Sequence, residues 1–415
     1  MTAIISSQRL QTLSILACAS LFFWVLSAGA GRPAVAVALC LTLFMAGILL
    51  TKRNFRPLPG WYICGALALL QYFIFFGSVA AFNPPLETAE FTQRADFLMF
   101  WVIGGVLSLI LLWVWANIRP PASFMAIAVG VSAACVISIM VLSRIFPETE
   151  TVCRVTGPSN NYFFPAFVLG VLSVLSLSPR LKIPLWGQIL LIIGSLLVMG
   201  FVSGTRMILL AYVICLGSAF LVLGASRAVT LKQIAIWTGV ACFGMFLSIG
   251  LDLIESCSFS ARLQMLLTDA VTGIEGAKAT EGISNSVNIR LQLFQKGWEV
   301  AKIRLLIGHG IAAENSVSEA VHPALSMVHN QYLSWTIWGG IPGLISGVVF
   351  LAAPLVLFFS NYPKWHVAIL CGSISGMLAL SNVSDTLLRT DYFLIFYLVV
   401  TSVVLGLALP RQKGP

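Results

Sequence analysis

Apolar runs of about 18 residues or more recur along this chain and limit what it can fold into. In hydrocarbon every backbone N–H and C=O needs a partner within the chain, so runs of this length become helices. The pattern predicts about twelve spans, roughly 12–30, 33–50, 61–82, 97–116, 122–142, 162–178, 184–202, 206–224, 232–250, 332–359, 366–382 and 390–409. Pro, Gly and basic residues punctuate nearly every junction. Composition agrees: of 415 residues 59% are hydrophobic and 9% charged, against about 25% charged in a soluble domain. The expectation is an all-α polytopic membrane protein. Its first apolar segment follows a single basic residue, Arg9, and has no convincing small-residue cleavage pattern, so it reads as a retained span.

A net charge of +9 would suggest nucleic acid in a soluble protein. Here its distribution sets orientation instead, and no nucleic-acid partner is expected. With the N-terminus inside, the inner connections hold Arg9, Lys52, Arg53, Arg56, Arg119, Arg180, Lys182, Arg227, Lys232, Lys364, Arg411 and Lys413, and no acid. All 15 Asp and Glu fall outside. This satisfies the positive-inside rule and predicts that both termini are cytoplasmic. The chain divides into helices 1–9 over 1–250, a long outer loop over 251–331, and helices 10–12 over 332–415.

Most cysteines lie in spans, where they act as small hydrophobes. Cys153 and Cys257 sit in outer connections, where oxidation is feasible and a disulfide between them stays an open guess. No CxxC and no His/Cys cluster has metal-ligand spacing, so no metal and no other cofactor is expected. In the loop, Ser258 or Ser260 is placed to cap a short helix carrying Leu263, Leu266, Leu267 and Val271. Further on, Leu291, Phe294, Trp298, Ala301 and Leu305 recur at helical spacing, with Ser284, Asn285 or Ser286 as caps. Such a helix either lies on the bilayer surface or packs over the bundle. Gly308-His309-Gly310 ends it.

The loop closes on Val328-His329-Asn330-Gln331-Tyr332-Leu333 and dives into the apolar run that contains Trp338-Gly339-Gly340-Ile341-Pro342-Gly343. Histidine titrates near neutrality, so His329 is able to take a proton from an alcohol; equally, it is able simply to hydrogen-bond the loop. His309 and His322 are alternative bases, but neither lies against an expected span. Arg206 ends the outer side of the eighth span after Ser203-Gly204-Thr205, either snorkelling to the interface or binding an anion. Arg290 flanks Phe294 and is either solvated or turned to the bundle mouth, with Arg262 and Arg304 as competitors. Lys296 and Lys302 read as solvated cations. Arg154 with Asn160 and Asn161 either contacts sugar or caps the sixth span. Asp385, Arg389 and Asp391 bracket the last outer turn, where a structural pairing is favoured over a site. Arginines at one membrane face suit a diphosphate, because the planar guanidinium matches phosphate oxygens.

Three ordered stretches resemble the O-antigen ligase family, within the O-antigen ligase and polymerase superfamily. His329-Asn330-Gln331-Tyr332-Leu333 with the following Trp-Gly-Gly-Ile-Pro-Gly resembles its signature. Cys153 to Phe163 resembles its Arg-x-x-Gly-x-x-x-Asn-x-x-Phe element, and Ser203 to Arg206 its Ser-x-x-Arg. The resemblance implies a GT-C-like bundle in the bacterial inner membrane with a helical periplasmic loop. It implies transfer of a glycan from undecaprenyl diphosphate to the lipid A core oligosaccharide, inverting and metal-independent, among membrane lipids. It implies His329 as base and Arg206 and Arg290 on the diphosphate; beside these, Asn330, Arg154, Asn161, Arg262 and Arg304 are candidate substrate contacts read from their positions. Related activities are polymerisation of the glycan on its carrier and transfer to a protein. The Arg-x10-Gly spacing associated with polymerases falls wholly within the long loop only at Arg262–Gly273, close to chance. A transporter or flippase also fits twelve spans, but it would favour ionisable residues deep in the spans, which here are nearly charge-free.

Overall fold

The computed structural model describes residues 58–82, 90–118, 163–202, 206–254, 284–321, 327–389 and 391–409, with Leu325 and short pieces between 126 and 140. Among the described residues the regular elements are helical and none is a strand. The helices are α1 (Gly60–Phe82), α2 (Glu90–Ile118), α3 (Phe163–Ser176), α4 (Leu185–Leu197), α5 (Arg206–Ala225) and α6 (Leu231–Ile254). There follow α7 (Ser284–Ile303), α8 (Ala313–Val321), α9 (Gln331–Leu351), α10 (Lys364–Cys371), α11 (Met377–Ser381) and α12 (Asp391–Leu407).

Among the described residues four segments are long and apolar enough to cross a membrane: Gly60–Ala81, Met207–Ala225, Leu231–Ser248 and Gln331–Leu351. Shorter apolar helical segments cover Trp101–Asn117, Phe163–Ser176, Leu185–Gly200 and Phe393–Gly406. The expected spans at 12–30 and 33–50, most of 122–142, and the helix expected after Ser258 lie outside the described residues. The expected span at 366–382 is built from α10 and α11 joined by a π-turn, Gly372–Gly376.

An aromatic core joins α1, α2, α9 and α12. Tyr72 stacks on Phe350 with centroids 4.2 Å apart, and Phe76 stacks on Trp101 at 5.4 Å. Trp335 donates its indole N–H to the Tyr72 hydroxyl at 3.1 Å. Gln71 and Ser346 exchange two bonds: the amide donates to the Ser346 carbonyl at 2.9 Å and accepts from its hydroxyl at 2.8 Å. Such polar pairs matter between apolar helices, since hydrocarbon offers them no other partner. The 177–184 and 360–366 connections meet at one end of the bundle, where Ser178 and His366 Nδ1 share a hydrogen bond of 2.7 Å.

The tenth span, expected as one run over 332–359, is interrupted. Gly340 takes φ 65°, ψ −154°, which breaks α9 in the middle. Pro342 has no N–H to return to the Trp338 carbonyl, and the break withdraws the Ile341 N–H from the Ile337 carbonyl. Both freed carbonyls are used: Ile337 accepts the His309 N–H at 2.7 Å and Trp338 accepts the Gly310 N–H at 3.0 Å. In return Ile341 donates to the Leu305 carbonyl at 2.7 Å. Residues 305–310 are therefore docked onto α9 main chain to main chain. A Cβ on Gly340 would run into the Leu305 carbonyl, and one on Gly308, at φ 73°, into the backbone of Trp338.

This docking also fixes α7. Gly297 lies against Leu333 and Ile337, so α7 and α9 run side by side in the same direction. The helix expected after Ser284 is present, but a different face is covered. Leu293 and Ala301 are fully buried, whereas Leu291, Phe294 and Trp298 are about half exposed, at 54%, 47% and 49%. Periodicity identified an apolar stripe but not the glycine that allows α9 to approach beside it.

Gly340→Ala should destabilise the protein by at least about 2 kcal/mol, from a left-handed non-glycine residue and the clash at Leu305. Thermal unfolding of the detergent-solubilised protein measures this, and an unchanged midpoint would contradict the docking.

Candidate active site around His329

The α8-to-α9 connection holds His329 in an unusual backbone state. Its φ is +53°, a region non-glycine residues rarely occupy. Neighbouring hydrogen bonds keep it there. Upstream, the Val328 N–H donates to Glu314 Oε1 at 3.0 Å. Downstream, the Gln331 N–H is shared between the carbonyls of Asn382 at 3.0 Å and Asp385 at 3.1 Å. Asn330 is the N-cap of α9: its side-chain oxygen accepts the Leu333 N–H at 2.9 Å, and its Nδ2 donates to the Val383 carbonyl at 2.9 Å. The amide expected as a substrate contact is thus engaged at both ends.

The same turn delivers a carboxylate. Asp385 Oδ1 stands 3.5 Å from His329 Nδ1, with the two side chains 14% and 24% exposed. Nδ1 makes no hydrogen bond among the described residues, so at this separation the contact is electrostatic rather than a formed bond. Asp385 is itself oriented, accepting the Thr386 N–H at 2.8 Å. The sequence spacing favoured a structural role for Asp385; its position places it beside the histidine. Next to them, both amide atoms of Gln331, Asn382 Nδ2 and Ser381 Oγ are enclosed without a protein partner.

Arginine placement follows from helix register. Gly297 meets Leu333, and Arg290 lies about two turns earlier on the same side of α7. The parallel run of α7 and α9 therefore carries the exposed Arg290 to the level of His329. On the other side, Tyr212 and Met377 both pack at Gly170, and Cys215 lies beside Gly376. α5 thus runs antiparallel to α11, and its first residue, Arg206, is at the end of the bundle that holds the 382–385 turn.

Other candidates separate from this site. Arg304 follows α7 at the level of Gly340, about 15 Å along α9 from His329. Lys296 pairs with Glu299 at 3.2 Å on the exposed side of α7, and Lys302 is exposed as well. His309, expected to stand clear of any span, lies on α9 through its backbone, and its Nε2 is 2.7 Å from the Val300 carbonyl. Arg154, Asn160, Asn161, Arg262, His322, Cys153 and Cys257 lie outside the described residues.

One group that the sequence reading passed over is Glu314 on α8. It is fully buried. Besides Val328 it accepts the Ser334 hydroxyl on Oε1 at 2.8 Å and the Trp338 indole N–H on Oε2 at 2.9 Å. Its available signal was an acid on the same helical face as Val317 and Val321.

Residues 189–348 match the family model described as O-antigen ligase. The match runs from α4 into the second half of α9 and contains Arg206, Arg290, Glu314 and His329. No curated protein matches the chain.

Asn330→Ala removes both the cap and the tie to Val383 and should cost about 1–2 kcal/mol. Asn330→Asp keeps an oxygen for the Leu333 N–H and should recover roughly half of that. Comparing the two unfolding midpoints tests the cap; equal losses would mean that it contributes nothing.

Proposed function

We propose that this protein belongs to the O-antigen ligase family and transfers glycan from undecaprenyl diphosphate to the lipid A core oligosaccharide, with inversion and without a metal ion. The reaction would take place at the periplasmic face of a bacterial inner membrane crossed by about twelve helices, with both termini cytoplasmic. The observation that carries this reading is the His329–Asp385 pair, at the end of the bundle to which register also brings Arg206 and Arg290.

In this mechanism an acceptor sugar hydroxyl gives its proton to His329 Nε2 while its oxygen attacks the anomeric carbon. The new C–O bond forms as the bond to the carrier phosphate breaks from the opposite side, and the diphosphate leaves with the bonding electrons. The Asp385 carboxylate stabilises the imidazolium that results. Arg206 and Arg290 neutralise the charge growing on the diphosphate, with planar donors fitted to its oxygens. Diphosphate is already a competent leaving group, so two guanidinium groups take the part a divalent cation would otherwise play. Asn330 acts by capping α9 beneath the base. Arg154, Asn161 and Arg262 are retained as candidate sugar or phosphate contacts.

A general base contributes roughly 10²–10⁴-fold to rate. His329→Ala should therefore abolish detectable transfer of carrier-linked glycan to purified core lipid, measured in chelator, while carrier binding persists. Near-normal transfer by His329→Gln would eliminate the base assignment. Lipopolysaccharide profiling of a strain lacking the protein separates the two family activities. Core without O-chain, with long glycan left on the carrier, marks a ligase; core bearing one repeat unit marks a polymerase.

Lysine keeps the charge of arginine but not its fork. Arg206→Lys and Arg290→Lys should each lower turnover at least about tenfold, or ~1.4 kcal/mol of barrier. Unchanged turnover at equal expression would remove that arginine from the site.

A further inference from the structure

We infer that Glu314 is a positioning residue for His329, an inference that rests on reading His329 as the base. A fully buried carboxylate is costly unless its oxygens are satisfied. Glu314 meets that condition by binding groups on both sides of His329 in sequence. Oε1 takes the N–H of Val328, the residue directly before the histidine, and also the Ser334 hydroxyl. Oε2 takes the indole of Trp338, one turn further along α9. The carboxylate therefore clamps the incoming chain to the first two turns of the helix that follows.

The clamp matters because of what lies inside it. His329 sits at φ +53°, and nothing in a histidine side chain favours that state over the ordinary regions of backbone space. Downstream, the carbonyls of Asn382 and Asp385 hold the Gln331 N–H. Upstream, Glu314 is what holds the Val328 N–H. With that bond removed, the Met327–Val328 peptide loses its anchor, the chain leading into His329 is free to turn, and His329 relaxes to negative φ. The ring then swings away from Asp385 Oδ1, now 3.5 Å distant. Displacing a reacting group by about 1 Å can cost on the order of 10²-fold in rate.

A merely structural carboxylate would affect stability through any of its bonds, whereas a positioning one affects turnover chiefly through Val328. The experiment uses the full chain in nanodiscs, with undecaprenyl-diphosphate-linked glycan and core lipid, reading kcat, donor KM and unfolding midpoint. Glu314→Ala should lower kcat at least about tenfold with donor KM within about twofold. Glu314→Gln, whose carbonyl oxygen can still accept from Val328, should recover most of kcat while remaining less stable. Trp338→Phe and Ser334→Ala, which leave the Val328 bond intact, should lower the midpoint and keep kcat within about threefold. If Glu314→Ala does not fold, Glu314→Asp decides, because its carboxylate is one methylene short of Val328 and should lose kcat. Full kcat in the Ala or Asp variant, or equal kcat losses across all five variants, overturns the inference. Transfer retained by His329→Ala would instead defeat the base reading itself, whatever the Glu314 variants do.

Discussion

A helix that loses two of its own hydrogen bonds in an apolar setting must find others, and α9 finds them in the loop. Gly340 and Pro342 free the carbonyls of Ile337 and Trp338, which accept the N–H groups of His309 and Gly310. Everything nearer the His329 end depends on that exchange. It sets the position of 305–310 and so the parallel register of α7, which carries Arg290 toward the start of α9. It also places α8, and with it Glu314, against Ser334 and Trp338. The break in the span is thus the fixed point from which the polar site is built.

The helical content could be read from sequence because apolar length and glycine or proline punctuation are local properties. The same holds for the start of α7 near Ser284 and for the turn at Gly308-His309-Gly310. What escaped was pairwise. Leu291, Phe294 and Trp298 form a regular stripe, yet α9 packs beside Gly297, a residue no apolar pattern selects. His309 looked free of the spans because its contact with α9 is a backbone bond made possible only by the broken helix.

The site was legible in part for the same reason. His329 drew attention through its chemistry and its place at a loop-to-helix junction. Asp385 lies 56 residues further along, and only the fold of the 382–385 turn against Gln331 brings the two side chains to 3.5 Å. Glu314 and its burial drew no attention because a buried acid and a solvated one look identical in sequence. The reverse applies to Asn330: its motif position suggested substrate, while its hydrogen bonds are spent on the Leu333 N–H and the Val383 carbonyl.

The bonds that seat 305–310 on α9 run from main chain to main chain, and this bears on how such a loop changes over evolutionary time. Side chains contribute none of those three bonds, so most of them can be exchanged without releasing the segment. Glycine is demanded at 308, 310 and 340 by backbone conformation, and at 308 and 340 by close approach as well. A loop anchored in this way can diversify its outward surface while its register on α9, and with it the level of Arg290 along that helix, stays fixed.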